Sequence, residues 1–120
     1  MIMGKVTDDG VPVVILSVAQ RDWTTVIDTG FNGDLELPDA LRGLLQPRFK
    51  GQFHSLLAGG QRILEDTFEV QFPFDGELVL AEATFSDSQE ILLGTGLLRR
   101  HHVELDFPAQ TVRIEKRRSF

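Results

Sequence analysis

The chain has 120 residues, 42% of them hydrophobic and 25% charged, which fits one globular domain with a modest core and excludes an intrinsically disordered chain. Its net charge of −6 argues against nucleic acid or an anionic lipid surface as a partner, and the arginine pairs Arg99-Arg100 and Arg117-Arg118 read as solvated surface. The absence of cysteine removes disulfides, thiolate catalysis and thiolate metal sites together.

MIMGKVT predicts a first strand, and Asp9-Gly10 turns it into VPVVILSVA (11–19), an almost continuous apolar run suited to a strand covered on both faces. WTTVID (23–28) is the next strand, and it runs into Asp28-Thr29-Gly30, a second turn at Asn32-Gly33 and an alternating segment closed by Pro38. PDALRGLLQP (38–47) predicts a short helix with proline at its first position and a stop at Pro47. RFKGQFHSLLA and QRILEDTFEVQF flank Ala58-Gly59-Gly60, the pattern of a long hairpin with a glycine tip. Asp75-Gly76 starts another reversal, and LVLAEATF and EILLG supply two further strands. GLLRRHH predicts one or two helical turns, and HVELDF with TVRIEK predicts a closing hairpin across Pro108-Ala109-Gln110. The result is a single all-β domain over residues 1–120, a sandwich or barrel of short strands with at most two short helices. No apolar run reaches the roughly 20 residues that cross a bilayer, and MIMGKVTDDG lacks a signal peptide's apolar stretch. A cytoplasmic address and no membrane partner are therefore expected.

Metal and nucleophile chemistry find little support. His54 stands alone, and the adjacent His101 and His102 do not share one face of a strand or the i, i+4 face of a zinc-binding helix, so no metal is expected. None of Ser17, Ser55, Ser86, Ser88 and Ser119 lies in a Gly-x-Ser-x-Gly elbow. Gly94-Thr95-Gly96 lacks the Walker lysine and the full dinucleotide fingerprint, and reads as a tight strand-to-helix turn. Asp28 remains, where a strand ends and a glycine turn begins. On the residues alone it is either the former of an Asx turn or a functional carboxylate.

VIDTGFNG (26–33) followed by ILLGTGLLRRHHVELDF (91–107) resembles one unit of a retropepsin-like aspartic protease. The matched parts, residues 23–38 and 90–114, cover about a third of the chain, and the last of them also resembles the end of a lobe of the pepsin-like enzymes. The resemblance implies a retropepsin-like acid-protease barrel or sandwich in which Asp28, Thr29 and Gly30 form the catalytic turn. It implies a flap at Leu57, Ala58, Gly59 and Gly60, and a substrate floor at Phe31, Asn32 and Gly33. The implied activity is an aspartic endopeptidase acting on peptide or unfolded protein, without a cofactor.

Peptide hydrolysis needs a base to activate water and an acid to protonate the products, and one carboxylate cannot do both at once. With one Asp-Thr-Gly per chain, a homodimer supplies the second acid across a two-fold axis. Two carboxylates that close share a proton and titrate as a unit. In the resemblance Thr29 reaches across the dimer axis, Gly30 brings an N–H to Asp28, and the flap glycines let the tip open over an extended peptide. The plainer alternatives are a turn hydroxyl for Thr29 and an ordinary hairpin corner for Gly59-Gly60. A non-catalytic peptide-binding or dimerisation module of the same fold is the alternative function.

Three features depart from the family pattern. Phe31 replaces a small residue, and its ring either narrows the adjacent pockets or turns outward. Asn32 and Thr95 stand where retroviral members carry an acid and an arginine, a neutral replacement of a bracing ion pair. The final RRSF (117–120) is poor material for interleaved terminal strands, which points to dimerisation through other strands or to a weak dimer.

Overall fold

Period-two alternation of apolar and polar side chains carries most of this chain into strands, and the strands join edge to edge in one ten-stranded sheet. The structure, a computed structural model, describes residues 1–117. Arg118, Ser119 and most of the RRSF segment lie outside the described residues.

In chain order the strands are β1 Ile2–Val6, β2 Pro12–Val18, β3 Arg21–Asp28, β4 Leu35–Pro38, β5 Arg48–Leu56, β6 Arg62–Phe74, β7 Glu77–Ser86, β8 Ile91–Gly94, β9 His101–Asp106 and β10 Thr111–Lys116. Their spatial order is β5-β6-β7-β4-β8-β3-β2-β1-β10-β9. Neighbours pair antiparallel except at β3 with β8 and β4 with β7, which are parallel. β8 is thus inserted between β3 and β4, so the loop that joins β3 to β4 must pass over the end of β8.

The all-β architecture agrees with the sequence-based expectation, and most turns lie where glycine marks them. Gly10, Gly60 and Gly76 all have positive φ, and Asp75 joins Gly76 in the left-handed region to close a two-residue turn between β6 and β7. The core gathers Val14, Leu16, Trp23, Leu35, Leu37, Phe72, Ile91 and Leu93 between the two inner faces of the folded sheet.

Three local expectations change. β2 is not covered on both faces along its length: Val14, Leu16 and Val18 are buried, but Ile15 is 56% exposed on the other side. Pro38 does not open a helix. It ends β4 with extended backbone (ψ 141°), paired with Ser86, and a 3₁₀ turn at Asp39–Leu41 leads into the single α-helical turn α1, Arg42–Leu45.

The third change concerns GLLRRHH, which forms no helix. Leu98 N–H donates to Thr95 O (3.1 Å) and His101 N–H to Leu98 O (2.9 Å), two successive turns, after which both histidines are extended in β9 opposite Lys116 and Glu115. The N–H groups of Thr95 and Gly96 are committed to the β3–β4 loop, and β10 claims the chain from His101. The few residues between are too short to nucleate a helix.

The β2–β3 hairpin turns on Ala19 (φ 52°) and Gln20 (φ 65°), two non-glycine residues held in the left-handed region. That conformation costs roughly 1 kcal/mol or more per residue with a side chain. Replacing the pair by Ala19→Asn and Gln20→Gly, the residues this turn favours, is expected to stabilise the fold by about 1 kcal/mol. A thermal melt should rise by about 4 °C.

Candidate active site

β3 points Trp23, Thr25 and Ile27 into the core and leaves Asp28 on its other face, half-buried, directly opposite Gly94 of β8. The Gly30 N–H donates to Asp28 Oδ1 (2.9 Å) and the Phe31 N–H donates to the Asp28 carbonyl (3.2 Å), so the chain turns back on its own carboxylate. A Cβ at Gly30 would stand 3.3 Å from Asp28 Oδ1 and crowd that bond. Thr29 and Gly30 are exposed beside it. The carboxylate is therefore fixed by one backbone donor and still open to solvent.

Residues 31–34 close over the end of β8 through backbone bonds. Thr95 N–H donates to Phe31 O (2.8 Å), Gly96 N–H to Gly33 O (3.0 Å) and Gly94 N–H to Asp34 O (3.0 Å). The Thr95 hydroxyl adds a second bond to Phe31 O (3.2 Å). Thr95, one of the two positions where the retroviral pattern carries a charge, thus bonds the Phe31 carbonyl rather than Asn32, the other. The glycines make the approach possible: a Cβ on Gly94 would overlap the Gly33 carbonyl oxygen, and a Cβ on Gly96 would overlap Asp34 Oδ1. Gly94-Thr95-Gly96 is thus a seat for the opposite loop rather than a turn into a helix. Phe31 takes the inward of its two placements, with its ring against Gly33 and Gly94.

Asp34 was not singled out from sequence, yet it joins three elements. Its carbonyl takes the Gly94 N–H, its Oδ2 accepts the Glu82 N–H of β7 (2.9 Å), and its Oδ1 faces Gly96. The only signal for it is an acid placed immediately before the apolar start of β4.

A groove of about 440 Å³ lies between this loop and the β5–β6 hairpin, and Gly30 is the one residue of the Asp-Thr-Gly turn in its lining. Gly30, Phe31, Asn32 and Gly33 line one side of it, and Phe53, Ser55, Leu56, Glu65 and Thr67 of the hairpin line the other. The structure brings the expected floor residues to the groove, and it leaves Leu57, Ala58, Gly59 and Gly60 exposed at the hairpin tip, outside the lining. Leu57 N–H donates to Gln61 O (2.7 Å) and Gly60 N–H to Leu57 O (2.9 Å), which closes that tip. The inner-face residues of the hairpin, missed from sequence, are marked only by strand parity around the tip.

A second cleft of about 360 Å³ contains His101, whose ring packs edge-on against Phe74 and whose Nδ1 is buried without a hydrogen-bond partner. Burial lowers the pKa of this imidazole from its ordinary 6.5, with Lys116 adding to the effect and Asp75 and Glu77 opposing it. The unfolded chain then takes up the proton more readily, so stability falls as pH drops below about 6.5 toward the lower folded-state value. His101→Asn should lose less stability than the wild type between about pH 7.5 and 5, read by urea unfolding at each pH.

No protein-family model matches the sequence, and no curated protein matches it. Among solved structures, a retropepsin-like aspartic protease from Rickettsia conorii superposes with a TM-score of 0.64 over 96% of this chain and 89% of its own, at 16% identity. The chain has the retropepsin-like fold. EIAV protease complexed with the inhibitor HBY-793 matches this retropepsin-like chain at TM-score 0.58 and 19% identity, covering 78% of this chain and 89% of the protease. A foamy viral protease-reverse transcriptase in complex with an RNA/DNA hybrid matches at TM-score 0.60 and 19% identity, over 82% of this chain and 13% of that longer one. In this chain Gly30, the loop that follows it and the β5–β6 hairpin line the groove.

Proposed function

We propose that this retropepsin-like chain is an aspartic endopeptidase that works as a homodimer, with one Asp28 from each copy. The observation that carries the reading is the Asp28 carboxylate itself. It is held by the Gly30 N–H at the end of a buried strand pair, remains accessible, and lies two residues before Gly30, which lines a groove of about 440 Å³.

In the proposed reaction one carboxylate of the pair takes a proton from water as the water oxygen attacks the scissile carbonyl carbon. The protonated partner gives its proton to the carbonyl oxygen, forming a tetrahedral diol. Collapse of the diol transfers a proton to the amide nitrogen, breaks the C–N bond and regenerates the pair with one shared proton. Thr29, exposed beside Asp28, is the residue proposed to meet the partner copy. The hairpin tip at Leu57 to Gly60 is proposed as the mobile cover, since its exposed turn makes few contacts that resist opening.

The test is a peptide-library digest read by mass spectrometry at mildly acidic and neutral pH, using wild type and Asp28→Asn. Size exclusion in the same buffers reports the oligomeric state. The proposal expects cleavage by a dimeric species that Asp28→Asn lacks, and cleavage surviving that substitution ends it.

A further inference from the structure

The groove is unevenly charged. Among the described residues that line it there are three carboxylates, Asp34, Glu65 and Glu82, and neither a lysine nor an arginine. Two of the three are already satisfied. Asp34 Oδ2 accepts the Glu82 N–H, and the Glu82 side chain is ion-paired with Lys50 of β5. Glu65 is different: it is half-buried on the inner face of the hairpin, opposite Phe53, and no cation among the described residues pairs with it. Its one side-chain partner is the Ser55 hydroxyl, 3.4 Å from Oε2, a weak and neutral contact that leaves Oε1 unengaged.

A carboxylate that is partly removed from water without a counter-charge is better satisfied when a cation arrives, and a guanidinium or ammonium donates charge-assisted hydrogen bonds about twice as strong as neutral ones. The aliphatic stem of a lysine or arginine suits the Phe53 and Leu56 side of the same groove, while its head reaches the carboxylate. We infer that Glu65 is the specificity-determining residue of this groove and selects peptides that carry a lysine or arginine at the position lying against the hairpin. The inference rests on the peptide-groove reading above and deepens it, by naming the substrate class that the groove takes.

Two measurements on the same variants test it. In the first, a peptide library is digested by wild type, Glu65→Gln, Glu65→Lys and the control Glu69→Gln, whose carboxylate is already paired with Arg48 outside the groove. Wild type should favour a basic over an acidic residue at one subsite by about tenfold in kcat/KM. Glu65→Gln should bring that ratio close to one, Glu65→Lys should invert it, and Glu69→Gln should leave it unchanged. In the second, matched peptides with Arg or Glu at that position, or a positional Arg scan where no cleavage occurs, are titrated calorimetrically into Asp28→Asn with and without Glu65→Gln. An Arg preference that Glu65→Gln removes, without cleavage by wild type, upholds the inference and sinks the endopeptidase reading. Cleavage without a basic preference, or with one that Glu65→Gln does not move, overturns the inference and leaves the endopeptidase reading standing. Neither binding nor cleavage overturns both.

Discussion

Asp28→Asn is expected to lower peptide cleavage by about 10³-fold or more while leaving the thermal melt within a few degrees of wild type. The amide is nearly the same shape, and its oxygen still accepts the Gly30 N–H that holds the carboxylate at 2.9 Å. What it loses is the ability to give and take a proton, which general acid–base hydrolysis requires at both steps. In the proposed two-fold dimer the substitution removes both acids at once. The two readouts together matter: loss of activity with an unchanged melt assigns a chemical role, and loss of both assigns only a structural one.

The second large effect lies at Gly94. Gly94→Ala places a methyl group against the Gly33 carbonyl oxygen and 2.7 Å from Cδ2 of the Phe31 ring. The carbonyl belongs to a loop held by three backbone bonds to residues 94–96, so it has no room to withdraw without breaking them. A cost of roughly 3 kcal/mol is expected, seen as a fall of about 10 °C in Tm. Because Gly94 is the registered partner of Asp28, activity should fall further than stability alone explains. Gly96→Ala should also destabilise but less, since its methyl stands 2.9 Å from the Gly33 carbonyl group where that of Gly94→Ala overlaps its oxygen, and the nearest atom it meets is the Asp34 carboxylate oxygen. Equal effects of the two substitutions would show that loop 31–34 is not rigidly seated.

The same loop shows which parts of the fold were legible in sequence. Asp75-Gly76 and Asp9-Gly10 announced their turns because Asp75, Gly76 and Gly10 adopt positive φ, which glycine supplies cheaply. Ala19-Gln20 makes an equivalent turn with residues that normally avoid it, so the β2–β3 junction carried no signal, and β3 begins two residues before Trp23. GLLRRHH has helical composition, but Thr95 and Gly96 are tied to Phe31 and Gly33, more than sixty positions away, and β10 pairs the chain from His101, which leaves too few residues between for a helix. Ile15 belongs to a continuous apolar run yet is exposed, because a run does not say which face the rest of the sheet will cover.

The candidate site was partly visible for a related reason. Asp28, Gly30 and Gly94 sit at a strand end, where a local turn leaves a local signature. Asp34 and Glu65 act through partners on other strands, Glu82 N–H for one and the groove wall for the other, and no spacing within the sequence marks such a pairing. Phe31 and Thr95 were noticed as departures. Their joint role, a carbonyl receiving both N–H and O–H of one threonine, is a tertiary fact.

The most direct test of the central claim, that two copies each supply one Asp28 to a single reaction, is a mixing experiment. Wild type at fixed concentration is titrated with Asp28→Asn, re-equilibrated, and assayed on a cleavable peptide. If the acids act as a pair across the axis, the inactive copies draw wild-type chains into mixed dimers and activity falls progressively below that of wild type alone. Activity that stays at the wild-type level at every ratio, with size exclusion showing that subunits exchange, would mean that a single Asp28 suffices.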